Sequence, residues 1–219
     1  MRSTAPVLVC FAVEEEAHYL RKQAEARSQC EILITGIGPR NARHTLTRKL
    51  GHVRPQFVIS SGFAGGLNPE LKPEMVVWEA ASEAPFSLAF HETGAYSARF
   101  YGAERIATTA AEKRQLRNAT GADAVEMESG VIREICLAAQ IPCGIVRIIS
   151  DAADEDLPLD FNRLMTPHQT LDYLKLAGTL AKAPWKAAEL WSFRRRIHRC
   201  ARKLAVILSQ LIANVGGSD

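Results

Sequence analysis

Short apolar runs alternate with stretches of helical periodicity along most of this 219-residue chain. That alternation restricts the fold more than any single motif does. Val7–Ala12 precedes Glu14–Ala24, Glu31–Thr35 precedes Pro39–Leu50, and Ala122–Val125 precedes Met127–Ala139. Further apolar runs stand at Phe57–Ser61, Met75–Trp78, Arg105–Thr108 (before the helical stretch Ala110–Arg117) and Gly144–Ile149. Such runs have the length of buried strands, and helical stretches between them fit crossovers in a largely parallel sheet. The pattern predicts a three-layer α/β/α domain around a central mixed sheet. Helix starts are marked by chemistry. Pro39 after Gly38 fits the first helical position. Thr109-x-x-Glu112 and Thr166-Pro167-His168-Gln169 read as capping boxes. From Thr166 the helical pattern runs to about Ile212, with Pro184 expected to break it. The whole chain, 1–219, is read as a single domain with basic C-terminal helices at about 167–212.

Charge is unevenly spread. Between Ala181 and Lys203 eight basic residues face one acid, Glu189, a local +7 within a chain of net +3, which leaves −4 for the rest. Five cysteines lack CxxC or Cys/His spacing, which argues against a disulfide framework and a structural zinc site. The six histidines fit no metal-ligand spacing either, so neither metal nor cofactor is expected. Val7–Val13 is short and runs straight into Glu14-Glu15-Glu16, as a strand does and a signal peptide does not. No apolar run approaches the ~20 residues of a membrane span. The expected location is the cytoplasm.

The chemistry concentrates at two expected strand ends. Ala124-Val125-Glu126-Met127-Glu128 closes one apolar run, and Arg147-Ile148-Ile149-Ser150-Asp151 closes another. Ligands of open α/β sheets bind beyond the carboxyl ends of strands, so Glu126, Glu128 and Asp151 are expected to share a crevice. Acids in a crevice suit a reaction that builds positive charge and needs a proton donor. Glycine-containing turns follow two other runs: Thr35-Gly36-Ile37-Gly38-Pro39-Arg40 and Ser61-Gly62-Phe63-Ala64-Gly65-Gly66. Neither has the spacing of a dinucleotide-binding or Walker A turn. Each feature also has a local reading. Glu14–Glu16 suit a helix first turn, Asp151 suits an N-cap, Met127 suits a core, and Arg147 reads as a paired, partly buried arginine. The segment Ala80–Gly102, with Phe86, Phe90, His91, Tyr96, Phe100 and Tyr101, has no readable pattern and is a candidate pocket wall.

Together, these motifs resemble the nucleoside phosphorylase/nucleosidase superfamily, with 5′-methylthioadenosine/S-adenosylhomocysteine nucleosidases and hopanoid-associated phosphorylases as the most similar groups. The matching pieces are Ala12-Val13-Glu14-Glu15-Glu16, Thr35–Gly38, Ser61–Leu67 with Leu71–Val77, Ala124–Glu128 and Val146–Asp151. The resemblance implies cleavage of the N-glycosidic bond of a purine nucleoside of 5′-modified adenosine type, with a homodimer as the assembly. It implies Asp151 as general acid to the base, Glu128 as acceptor for ribose hydroxyls and Glu16 as the group that orients or deprotonates water. Met127 would pack on the sugar and Ser150 would hold Asp151 or the base. Glu126, Phe63, Ala64 and Gly65 would line the pocket.

Water and phosphate both stay open as nucleophile, and the residues lean to water. Phosphate needs cations and backbone N–H groups. In the resemblance, the turn carries Ser60 and Phe63 where the superfamily's phosphorylases place an arginine and a serine, and acids stand near Val13–Glu16 where they place a glycine and an arginine. Gly38 and Arg40 remain the candidate phosphate contacts. The alternatives are a phosphate-dependent phosphorylase acting on a lipid-linked adenosine such as adenosyl-hopanoid, and a nucleoside-binding module without turnover. The C-terminal basic segment is amphipathic, with Phe193, Ile197, Cys200, Leu204, Leu208 and Leu211 in one stripe. A packed helix with a solvated basic face is the plain reading. Contact with the inner, anionic face of a membrane is the sharper one, because Trp185, Trp191 and Phe193 flank the bases. No nucleic-acid motif accompanies the charge.

Overall fold

The computed structural model describes residues 7–24, 30–80, 93–166 and 173–216. The first elements follow the alternation: β1 (Val7–Phe11), α1 (Glu14–Ala24), β2 (Cys30–Ile34), α2 (Pro39–Leu50), β3 (Val58–Gly66) and β4 (Val76–Ala80). Next come β5 (Tyr96–Ser97), β6 (Phe100–Gly102), α3 (Ala110–Thr120), β7 (Ala124–Glu126), α4 (Ser129–Ala138) and β8 (Cys143–Asp151). Then follow α5 (Phe161–Leu164), α6 (Tyr173–Lys182) and the long α7 (Lys186–Gly216).

The sheet is mixed, in the order β2-β1-β3-β8-β4-β5, with β7 on the end of β3 and β6 on β7. β1, β2, β3 and β8 are mutually parallel, whereas β4 runs antiparallel to β8 and β7 antiparallel to β3. Side chains alternate between two buried faces. Val7, Val9, Phe11 and Ile59 meet Ala17 and Leu20 of α1 and Cys200, Leu204 and Leu208 of α7. Leu8, Cys10 and Val58 meet Ala42 and Leu46 of α2 and Val131, Ile132 and Cys136 of α4. Strands covered on both faces read as continuous apolar runs, which is why their sequence shows no polar alternation.

Helix boundaries have local causes. Gly38, at φ 83°, precedes Pro39 at the start of α2. Thr109 and Glu112 form a reciprocal capping box at the start of α3. Residues 183–185, around Pro184, separate α6 from α7. Residues 167–169 of the second expected capping box lie outside the described residues, as do Phe86, Phe90 and His91.

One expected strand is absent. Arg105–Thr108 is irregular, and the strand before α3 is β6, further upstream. The Asn162 side chain replaces the ladder there, accepting from Ile106 N at 3.0 Å and donating to Ile106 O at 2.9 Å.

The basic face of α7 is partly tied down. Arg196 pairs with Glu155 at 2.6 Å, Arg199 with Glu74 at 2.8 Å, and Arg195 lies 3.7 Å over the Trp191 ring. Trp185 and Trp191 are exposed. Among the described residues no helix is long and apolar enough to cross a membrane.

Candidate active site

β3 and β8, nine residues each, run past the ends of their neighbours, and their register slips between Ala64 and Gly65. Such an irregularity bends a strand and re-aims the side chains beside it. A cavity of about 360 Å³ opens there, at the carboxyl ends of β1, β3, β7 and β8. Glu16, Phe63, Ala64, Gly65, Glu126, Met127, Glu128, Ser150 and Asp151 all line it. Gly38 and Arg40 do not. Arg40 lines a separate open groove on α2 with Arg43, His44 and Arg48. The N–H of Gly38 is donated to Glu128 Oε1 at 2.8 Å.

Glu16 enters from the first turn of α1 and is 5% exposed. Its Oε1 accepts from Phe63 N at 2.8 Å, and its Oε2 from Ala12 N at 3.0 Å and Val13 N at 3.3 Å. These bonds fix the carboxyl group between the ends of β1 and β3. Burial raises its pKa against the opposing effects of the Arg147 charge and those N–H groups. Gly62 makes the approach possible. It sits at φ 141°, and a Cβ there would lie 2.5 Å from Glu16 Oε1 and 2.6 Å from Arg147 Nη1. Only glycine fits both the conformation and the space.

Arg147 is the centre of the acid cluster and is fully buried. Its Nη2 lies 2.6 Å from Glu126 Oε2, 3.1 Å from Ser60 Oγ and 3.7 Å from Glu128 Oε2, and its Nη1 donates to Ser61 O at 2.7 Å. Burial works against its charge, but Glu126, Glu128 and Glu16 outweigh burial and raise its pKa. The paired arginine expected from the sequence is therefore bonded to Glu126, lies beside Glu128 and acts through its charge on Glu16.

Glu126 is already engaged by protein. Besides Arg147 it accepts from Glu128 N at 2.9 Å, Ser129 N at 2.7 Å and Ser129 Oγ at 2.5 Å. It thereby caps the start of α4, where the Glu128 side chain makes no cap bond of its own. Glu128 is left facing the cavity. Burial raises its pKa to about 7, against the Arg147 charge and the Gly38 N–H, while Glu126 and Glu16 add to the rise.

Asp151 is the last residue of β8 and is 4% exposed, so it is not a helix N-cap. Ser150 Oγ lies 2.5 Å from its Oδ1, and Lys113 Nζ lies 2.5 Å from its Oδ2. Burial raises the pKa of Asp151, with Lys113 and Ser150 opposing the rise. Lys113 did not stand out in the sequence. The available signal was a lysine on an inward position of α3, one turn before the partly buried Leu116.

The cavity lining also includes an apolar group: Leu157, Phe161, Met165, Phe193 and Ile197. Tyr96, Phe100 and Tyr101, from the aromatic segment, do not line it. Among the described residues the apolar lining includes Phe161 of α5 and Phe193 and Ile197 of α7, with the Phe161 and Phe193 rings 6.0 Å apart. The cavity therefore combines acids suited to a cation-like sugar and a proton donor with apolar side chains suited to a carbon-rich substituent.

A mixed sheet between two helical layers, with buried acids beyond its strand ends, defines an α/β enzyme of the nucleoside-cleaving kind. The chain belongs to the Phosphorylase superfamily, whose sequence profile matches residues 95–213. It is 29% identical over 206 residues to a 5′-methylthioadenosine/S-adenosylhomocysteine nucleosidase of Geobacillus kaustophilus, covering 70% of this chain and 87% of that one. A nucleosidase of the same name from Geobacillus thermodenitrificans is 27% identical over 205 residues, with coverage of 70% and 87%. Among solved structures, futalosine hydrolase of Helicobacter pylori superposes with a TM-score of 0.69 at 17% identity, covering 96% of this chain and 98% of that one. The Neisseria meningitidis 5′-methylthioadenosine/S-adenosylhomocysteine nucleosidase in complex with methylthio-immucillin-A gives 0.70 at 19% identity, with 95% and 99% covered. At these identities the structural likeness speaks for the fold.

Proposed function

We propose that this enzyme hydrolyses the N-glycosidic bond of a 5′-modified adenosine. Asp151 protonates N7 of the base, which takes the electron pair of the breaking C1′–N9 bond. Glu128 accepts hydrogen bonds from the ribose hydroxyls, and its charge favours the cation-like sugar. Glu16 orients water towards C1′ and takes its proton. Met127 packs on the sugar, and the backbone of Ala64 and Gly65 borders the base. Relatives named as nucleosidases support the same reaction.

The observation that carries water as nucleophile is the charge of the cavity wall. Among the described residues, Glu15, Glu16, Glu126, Glu128 and Asp151 line it against one guanidinium, Arg105, which is bonded to Glu112. Arg40 stands outside, and the Gly38 N–H is already donated to Glu128. A phosphate dianion would meet repulsion and no free cation. Adenine release from 5′-methylthioadenosine in phosphate-free buffer tests this. The expected rate is undiminished by removing phosphate, and strict phosphate dependence would overturn the reading.

A second reading concerns the 5′ group. Phe193 and Ile197 of α7 join Phe161 and Met165 in the apolar wall, and two tryptophans, Trp185 just before α7 and Trp191 on it, are exposed. This supports a long, lipid-like 5′ substituent drawn from an anionic membrane surface, as an adenosyl-hopanoid would be. The same assay, run with adenosines of increasing 5′ alkyl length, reads it as a rising kcat/KM. The homodimer expected from the family resemblance belongs to this proposal as well.

The ionisation of Glu128 gives a further expectation. As acceptor for two hydroxyls it must be charged, so kcat/KM should rise with pH through about 7. Glu128→Gln should remove that limb together with most of the activity. A wild-type kcat/KM that stays flat between about pH 6 and 8 would contradict the assignment.

A further inference from the structure

We infer that Lys113 is the positioning residue that makes Asp151 an effective proton donor: a buried ammonium held against the carboxyl group on the side away from the substrate. This rests on the reading of Asp151 as the acid. Lys113 reaches from α3, and its side chain is fully buried. Its Nζ donates to Ala152 O at 2.8 Å and Glu155 O at 2.6 Å, and it lies 2.5 Å from Asp151 Oδ2 as an ion pair. The two carbonyls belong to the turn that follows Asp151, so one side chain fixes both the carboxyl group and the backbone leading away from it. Lys113 does not line the cavity, whereas Asp151 does.

The charges around Asp151 assign the electrostatic effect to Lys113. On its own strand Ser150 offers a neutral hydroxyl. Glu155, in the following turn, opposes ionisation, but its carboxylate is bonded to Arg196 of α7, whose Nη1 also lies 3.4 Å from Ser150 O. Across the cavity, Glu126 and Glu128 are negative partners of Arg147. The nearest wall on the β3 side is Gly65, which brings no charge. Lys113 is thus the cation in contact with the proton donor.

The consequence follows from where charge goes during the reaction. When Asp151 gives its proton to N7, a neutral acid becomes a carboxylate in a dry site. Burial alone makes that product costly, and an ammonium in contact lowers the cost in step with the transfer. Without Lys113 the acid would hold its proton to higher pH but release it less readily.

Lys113→Gln drops the charge and keeps donors for the two carbonyls. In this variant the alkaline limb of the kcat profile should move up by about 1 to 3 pH units. The plateau below it should fall roughly tenfold or more, with KM little changed. Lys113→Arg, which keeps the charge, should hold the limb near its wild-type position. In an Asp151→Asn background, Lys113→Gln should cost no further activity, because the residue acts through the carboxyl group. An unmoved limb in Lys113→Gln, or an equal loss in both backgrounds, would overturn the inference and leave Lys113 a structural staple. If Asp151→Asn itself keeps wild-type turnover, the assignment of Asp151 fails, an outcome separate from either of those.

Discussion

Asp151→Asn is expected to lower kcat roughly 10²–10⁴-fold while KM changes only a few-fold. The amide is close in shape to the acid and can still face the base, but it has no acidic proton to give. Asp151 is buried at the end of β8 and held by Ser150 and Lys113. Glu126 is occupied by Arg147 and the start of α4, and Glu128 by the Gly38 N–H. Steady-state adenine release measures the effect. A fall in kcat of less than about tenfold would move the proton donor elsewhere.

The second large effect falls on stability. Arg147→Met leaves Glu126 without its 2.6 Å partner, and Glu16 and Glu128 without the one guanidinium that faces them. Breaking a buried pair by removing one partner costs about 3–5 kcal/mol. That is a large share of the roughly 5–15 kcal/mol that holds a typical domain folded. The deficit should depend on pH. Glu16 and Glu128 already have raised pKa values in the folded protein, and loss of the cation raises them further. A carboxyl group with a raised folded pKa stabilises below its unfolded value and loses that contribution as pH rises through the folded one. The variant should therefore be closer to wild type near pH 5 than near pH 8, roughly the two sides of that transition. Urea midpoints at both values test it. A loss below about 1 kcal/mol at the higher pH would mean that the carboxyl groups do not rely on Arg147.

What could be read from the sequence follows the range of the interactions involved. β1, α1, β2 and α2 announced themselves because their period and caps lie within a few residues of each other. The acids of Ala124–Glu128 and Ser150–Asp151 share a cavity because both segments end strands that join β3, a consequence of the α/β alternation itself. Arg105–Thr108 looked like a strand because it is apolar enough, yet one distant side chain, Asn162, takes the hydrogen bonds a neighbour strand would have taken. Glu126 looked like a pocket residue, but its partner Arg147 is set by the β3–β8 register, which spacing along the chain does not reveal. Lys113 is hidden for the same reason: the two carbonyls and the carboxylate it engages lie about forty residues away, in and just beyond β8. Among the described residues Phe161 and Phe193 supply apolar wall from helices whose approach only the packed sheet determines, which no pattern along the chain reveals.

The central claim is that water attacks C1′ while the base leaves with a proton from Asp151. The direct measurement is a turnover of 5′-methylthioadenosine in ¹⁸O-labelled water containing millimolar phosphate, with the sugar product analysed by mass. The account predicts free adenine and a reducing sugar that carries one ¹⁸O atom at C1′, with no sugar 1-phosphate. A sugar 1-phosphate without the label, or no adenine at all, would contradict it.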